Sequence, residues 1–161
     1  MCHSENVHVE LYTHLLRELD PGNINMDDVS NGELSLPNTV QKTEWCSKYF
    51  DRDQYSFGTR LIAHAVVEGL FSCSTLATVL SFETLGLLPG LCRAAHLILR
   101  DKQLFVDFAC QLYGVLSEEV PVCIVSAIVT EAVSLEKACF AGKHAITTYP
   151  ESALSVGRSR A

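Results

Sequence analysis

Glu5 and His8, in the run Glu5-Asn-Val-His8, are the first residues of this chain whose types and spacing suit them to chemistry. Three apart on a helix, they share a face, so a carboxylate and an imidazole can be turned toward one metal ion. Helical bundles that hold a dinuclear iron or manganese centre use this unit twice, with a single carboxylate from each of two further helices. The same spacing also occurs on ordinary solvated helix faces. A third residue, Glu68, is more informative, because it stands in Ala65-Val-Val-Glu68-Gly-Leu-Phe71, a run with no other formal charge. An ionised carboxylate buried there is costly unless it meets a cation, a metal or a proton. The alternative is a carboxylate at the exposed edge of a buried helix, where it stays solvated.

The elements that must position these residues are helices. Val7, Leu11, Tyr12, Leu15, Leu16 and Leu19 recur at helical spacing and predict a first helix over 4–19, ended by Asp20-Pro-Gly22. Residues 23–37, rich in Asn, Asp, Ser and Gly, read as a loop, and a short helix over 38–50 carries Trp45. From 56 to 85 the pattern predicts one long, nearly uniform core helix, with Ser56 as its N-cap and Gly86 closing it. After the turn at Pro89-Gly90, a second long helix over 91–116 has Lys102 and Phe105 near its middle. Pro121 suits the first turn of a fifth helix that ends near Phe140-Ala-Gly142. The reading is all-α: one helical domain over 1–142 and a loose tail over 143–161 containing Pro150 and Gly157.

Composition bounds the partners. A protein of 161 residues that is 48% hydrophobic can bury a core, which excludes a disordered protein. A net charge of -7 with no basic patch argues against nucleic-acid binding. The 7 cysteines, at 2, 46, 73, 92, 110, 123 and 139, contain no Cys-x-x-Cys pair. With no signal-peptide pattern ahead of them, they read as reduced thiols of a cytoplasmic protein. The apolar stretch 61–82 is long enough to span a membrane. Glu68 and the small polar residues Ser72, Ser74, Thr75 and Thr78 oppose that reading, and a bundle-core helix explains the stretch better.

Several runs together carry a family resemblance: Glu5-Asn-Val-His-Val-Glu-Leu-Tyr12, Val67-Glu-Gly-Leu-Phe71, Gly86-Leu-Leu-Pro-Gly-Leu91, and Arg100-Asp101 followed by Asp107-Phe-Ala-Cys110. In order and separation they resemble the small subunit of class I ribonucleotide reductase. The resemblance implies a ferritin-like helical bundle, here incomplete at both ends. In that family a diiron centre oxidises a tyrosine to a stable radical that the large subunit uses to make deoxyribonucleotides from ribonucleotides. By motif position Glu5, His8 and Glu68 match iron ligands, Tyr12 matches the radical tyrosine, and Asp101 matches the acid that hydrogen-bonds a ligand histidine, here His8. Such a partner fixes the imidazole's tautomer and orientation.

The departures from the family pattern point the other way. Lys102 stands where a ligand glutamate belongs and Phe105 where a ligand histidine belongs, while the aspartate ligand is expected upstream of Met1. An ammonium repels a metal that needs oxygen donors, and a phenyl ring has no lone pair to give. Ser72 and Leu76 replace the bulky phenylalanines that surround the radical tyrosine in the family, so Tyr12 is expected to serve as an ordinary packing residue. Lys102 is expected either to act as a built-in counter-ion for Glu5 and Glu68 or to swing toward solvent on its long stem.

Three functions follow as alternatives. One is a small-chain homologue with impaired or lost oxidation chemistry, either a pseudoenzyme partner in a homodimer or in a heterodimer with an intact small subunit, or the product of a degenerate gene. Its family partner is the large subunit, although the family's docking tail has no counterpart in 152–161. The second is an enzyme with a rearranged mononuclear site that adds His64 or His96 to Glu5, His8 and Glu68. The third is a small helical membrane protein.

Overall fold

The computed structural model describes residues 2–19, 37–117 and 119–146, and they are helical apart from short links. The helices are α1 (Cys2–Leu19), α2 (Pro37–Tyr49), α3 (Phe57–Leu70), α4 (Cys73–Thr84), α5 (Pro89–Gly114) and α6 (Val122–Ile146). The predicted loop over 23–37 falls almost wholly outside the described residues, as does 147–161 of the predicted tail.

Two layers of contact build the bundle. α5 runs along α3, α4 and α1, and α6 packs on α2, α3 and α4. One cluster, Trp45, Tyr49, Ala63, Ile128 and Ala132, joins α2, α3 and α6. The other, Leu76, Ala95 and Ile98, joins α4 to α5 and receives Leu11 and Tyr12 from α1. Small residues let the long helices approach: a Cβ on Gly69 would lie 3.1 Å from Val106 Cγ2.

Local chemistry explains several helix ends. Ser56 caps α3, its Oγ accepting the Thr59 N–H at 3.3 Å. After α4 the backbone turns through Gly86 at φ +66 and then Leu88 at φ 47. The left-handed conformation suits glycine, and Leu88 is kept out of the right-handed helical region by the proline that follows it. Tyr113 Oη accepts the Val120 N–H at 2.9 Å and ties the end of α5 to the link before α6.

The expected continuous helix over 56–85 is in fact two. It breaks at Phe71–Ser72, between α3 and α4. The groups freed by the break are met by an ion pair from elsewhere in the sequence. Lys42 Nζ donates to the Phe71 carbonyl at 2.8 Å, and Glu136 accepts the Ser74 N–H at 2.6 Å while also pairing with Lys42. Helix termini need such partners when buried, and periodicity alone does not register a break whose flanking residues keep helical dihedrals, as Phe71 and Ser72 do. The final helix also runs to Ile146, past Gly142 where the tail was expected to start. Phe57–Thr84 is, among the described residues, the one stretch long and apolar enough to cross a membrane by length and composition. It is broken at Phe71–Ser72 and packs against α2, α5 and α6.

Candidate functional site

Three helices bring the predicted residues together. Glu5 and His8 come from α1, Glu68 from α3, and Asp101 and Lys102 from α5. The Lys102 ammonium sits between the two glutamates, 3.0 Å from Glu68 Oε2 and 3.4 Å from Glu5 Oε1. Glu68 and Lys102 are well buried, their side chains 9% and 15% exposed, whereas Glu5 reaches the surface at 44%. The carboxylate that the sequence placed in an apolar run is therefore buried and paired.

His8 is held from the other side. Its Nε2 donates to Asp101 Oδ2 at 3.2 Å. Nδ1 is buried without a hydrogen-bond partner, 3.6 Å from Glu5 Oε1. The expected Asp101–His8 contact is thus present, and it aims the free nitrogen toward Glu5.

Tyr12, Ser72, Thr75, Leu76 and Phe71 share with Glu5, His8, Ile98 and Lys102 a cavity of about 240 Å³. Burial pushes the Tyr12 phenol above its ordinary range, the Lys102 field works against that, and Glu5 adds to it. For Lys102 itself burial is the largest influence and opposes the charge. The Glu68 hydrogen bond and the fields of both glutamates more than offset it, so its pKa lies above the ordinary value. The lysine is held as an ammonium.

The remaining candidates lie apart. Phe105 is half-buried and does not line the cavity. His96 is exposed and pairs with Glu83 Oε2 at 3.0 Å, so it does not join Glu5 and His8. His64 is nearer, with Nδ1 4.0 Å from Glu68 Oε1. Among the described residues, no group of three or more His, Cys, Asp and Glu side chains has the geometry to hold a metal ion. That geometry gives the mononuclear alternative with His96 no support.

The sequence reading missed the buried pair Lys42–Glu136. Glu136 is flanked on its helix face by Ala132, Cys139 and Phe140, but Lys137 follows it directly in the sequence. Burial would raise its pKa, but hydrogen bonds from Lys42 and Ser74 outweigh that and hold the carboxyl below its usual range.

Helices bearing inward carboxylates and a histidine oriented by an aspartate define the class: a ferritin-like carboxylate bundle. The family model "Ribonucleotide reductase, small chain" matches residues 1–148, and the protein belongs to that family. It is 36% identical over 132 residues to the A form of the ribonucleoside-diphosphate reductase small chain of Arabidopsis thaliana, an alignment covering 82% of this protein and 38% of that one. Small chain 1 of Saccharomyces cerevisiae is 34% identical over 136 residues, covering 84% of this protein and 34% of the relative. The Variola virus small chain is 36% identical over 137 residues, covering 83% and 41%. Among solved structures, the ribonucleotide reductase Rnr4 homodimer of Saccharomyces cerevisiae superposes with a TM-score of 0.75 at 28% identity, over 86% of this protein and 44% of that one. The sequence thus spans less than half the length of these relatives.

Proposed function

We propose that this protein serves deoxyribonucleotide synthesis as a small-chain-type partner subunit that does not itself generate the tyrosyl radical. The observation that carries the reading is the position of Lys102, whose ammonium lies against Glu5 and Glu68, two of the retained ligand positions. A dinuclear iron centre needs oxygen and nitrogen donors on both ions. Here Glu5, His8 and Glu68 keep their donors, but Lys102 adds a positive charge among them and Phe105 contributes no donor atom. The residues present do not fit the family's diiron centre.

Tyr12 then serves as a packing residue against the Leu76, Ala95 and Ile98 cluster rather than as a radical carrier. In this reading the subunit acts through assembly, with a second copy or with an iron-competent small chain, and through them with the large subunit. The homodimeric state of the yeast Rnr4 structure supports pairing of this kind. A cytoplasmic setting agrees with the 6 described cysteines, at 46, 73, 92, 110, 123 and 139, all of which are free thiols.

Iron analysis and electron paramagnetic resonance of the purified protein, reconstituted with ferrous iron and oxygen, test the proposal. The expected result is iron well below one per subunit and no tyrosyl signal. Two irons per subunit with a radical assigned to Tyr12 by its loss in Tyr12→Phe would overturn it.

A further inference from the structure

We propose that the Lys102 ammonium is the permanent counter-ion of Glu5 and Glu68, so that α1, α3 and α5 assemble without a divalent metal. The inference rests on the functional reading above and deepens it, because it assigns to one side chain the structural work that bound cations do at such residues.

The groups that face the cluster come from four helices. α1 contributes Glu5 and His8, α3 contributes Glu68 with His64 behind it, α5 contributes Asp101 and Lys102, and α4 with its preceding turn contributes the uncharged Ser72 and Thr75. Asp101 is engaged by His8. That leaves two carboxylates, and among the described residues Lys102 is the lysine or arginine that reaches both. Glu68 is too buried for water to replace it, and a buried carboxylate stripped of its partner is strongly destabilising. The long lysine stem could have carried the charge out to solvent. Instead the side chain stays 15% exposed, with its nitrogen 3.0 Å from Glu68.

The position of α1 makes this contact matter. α1 meets the rest of the bundle through α5 and through Leu11 and Tyr12 on the Leu76, Ala95 and Ile98 cluster. The polar part of that seam is the Glu5–Lys102 and His8–Asp101 pair of contacts. Lys102 therefore links α1 to α3 through a single charge.

A stability cycle on the full-length protein tests the proposal, with thermal midpoints of wild type, Lys102→Met and Lys102→Met/Glu68→Gln measured in EDTA and in Mn(II). The wild-type midpoint is expected to be the same in both media, Lys102→Met to melt about 5–10 °C lower, and the double variant to recover at least half of that loss. Hydrogen exchange of α1 amides is expected to speed up in Lys102→Met more than exchange in α6. A single variant as stable as wild type, a recovery of less than half, or a wild-type midpoint that climbs in Mn(II) would each overturn the inference. Where Lys102→Met does not fold, the double variant decides: a folded double variant upholds the counter-ion and an unfolded one overturns it. Failure here leaves the functional reading standing, whereas stoichiometric iron and a radical in the wild type overturn that reading directly.

Discussion

Two lysine–glutamate clusters lie inside this bundle, and they do different work. At Lys102 one ammonium is shared between Glu5 and Glu68 from two other helices, and both contacts run from side chain to side chain. At Lys42 the ammonium pairs with Glu136, and both partners also bind backbone, the lysine at the Phe71 carbonyl and the glutamate at the Ser74 N–H. The first cluster neutralises two carboxylates brought in from α1 and α3. The second closes a helix break. A buried ion pair by itself is weak evidence of stability, because desolvation cancels much of the attraction. One that also satisfies buried backbone groups is worth more, since those groups would otherwise be orphaned.

This contrast sets the order of expected effects. Glu136→Leu is expected to cost about 3–4 kcal/mol, because it strands both the Lys42 ammonium and the Ser74 N–H; a denaturant midpoint close to wild type would erase the distinction between the clusters. Lys102→Met should cost less, about 2–3 kcal/mol, because half-exposed Glu5 can be rehydrated. Adding Glu68→Gln should restore most of that loss. The matching pair Lys42→Met/Glu136→Gln should restore little, because the Phe71 carbonyl stays without its lysine. Equal rescue in the two chemical-denaturation cycles would show that backbone capping does not separate them.

The pH response gives a smaller effect with a defined sign. Glu136 has a folded-state pKa below its ordinary 4.5, so the stability it contributes is present above that value and is lost as pH falls through the folded pKa. Glu136→Gln should flatten the acid limb of a stability–pH curve below about pH 4.5. Lys102 has the opposite sign. Its folded pKa is raised above 10.5, so its contribution is intact below that value and lost as pH rises through the folded pKa. Lys102→Met should flatten the alkaline limb. The smallest effect is expected at the surface pair Lys48–Glu131, where both side chains are more than 40% exposed. Lys48→Ala should change stability by less than about 1 kcal/mol in urea unfolding.

Much of the candidate site was legible without coordinates. The spacing of Glu5 and His8 put both on one helix face, and the lone charge of Glu68 in an apolar run required it to be either buried and paired or at a solvated edge. The family motifs then pointed to Asp101 beside His8, while Lys102 was open between the glutamates and solvent. What stayed hidden were features held by distant partners. The break at Phe71–Ser72 leaves the apolar pattern uninterrupted, and it is held by residues 29 positions back and 62 positions on in the sequence. Glu136 escaped notice because Lys137 stands directly beside it, so it is not the lone charge of its run as Glu68 is.

Residue types and their order determined that this protein is all-α and that it belongs to the small-chain family. The tertiary structure decided where the Lys102 charge goes. A lysine has enough rotamers to reach either water or the interior, and local sequence does not choose between them. The choice is made by the joint field of two carboxylates on α1 and α3, which meet α5 only when the bundle is assembled.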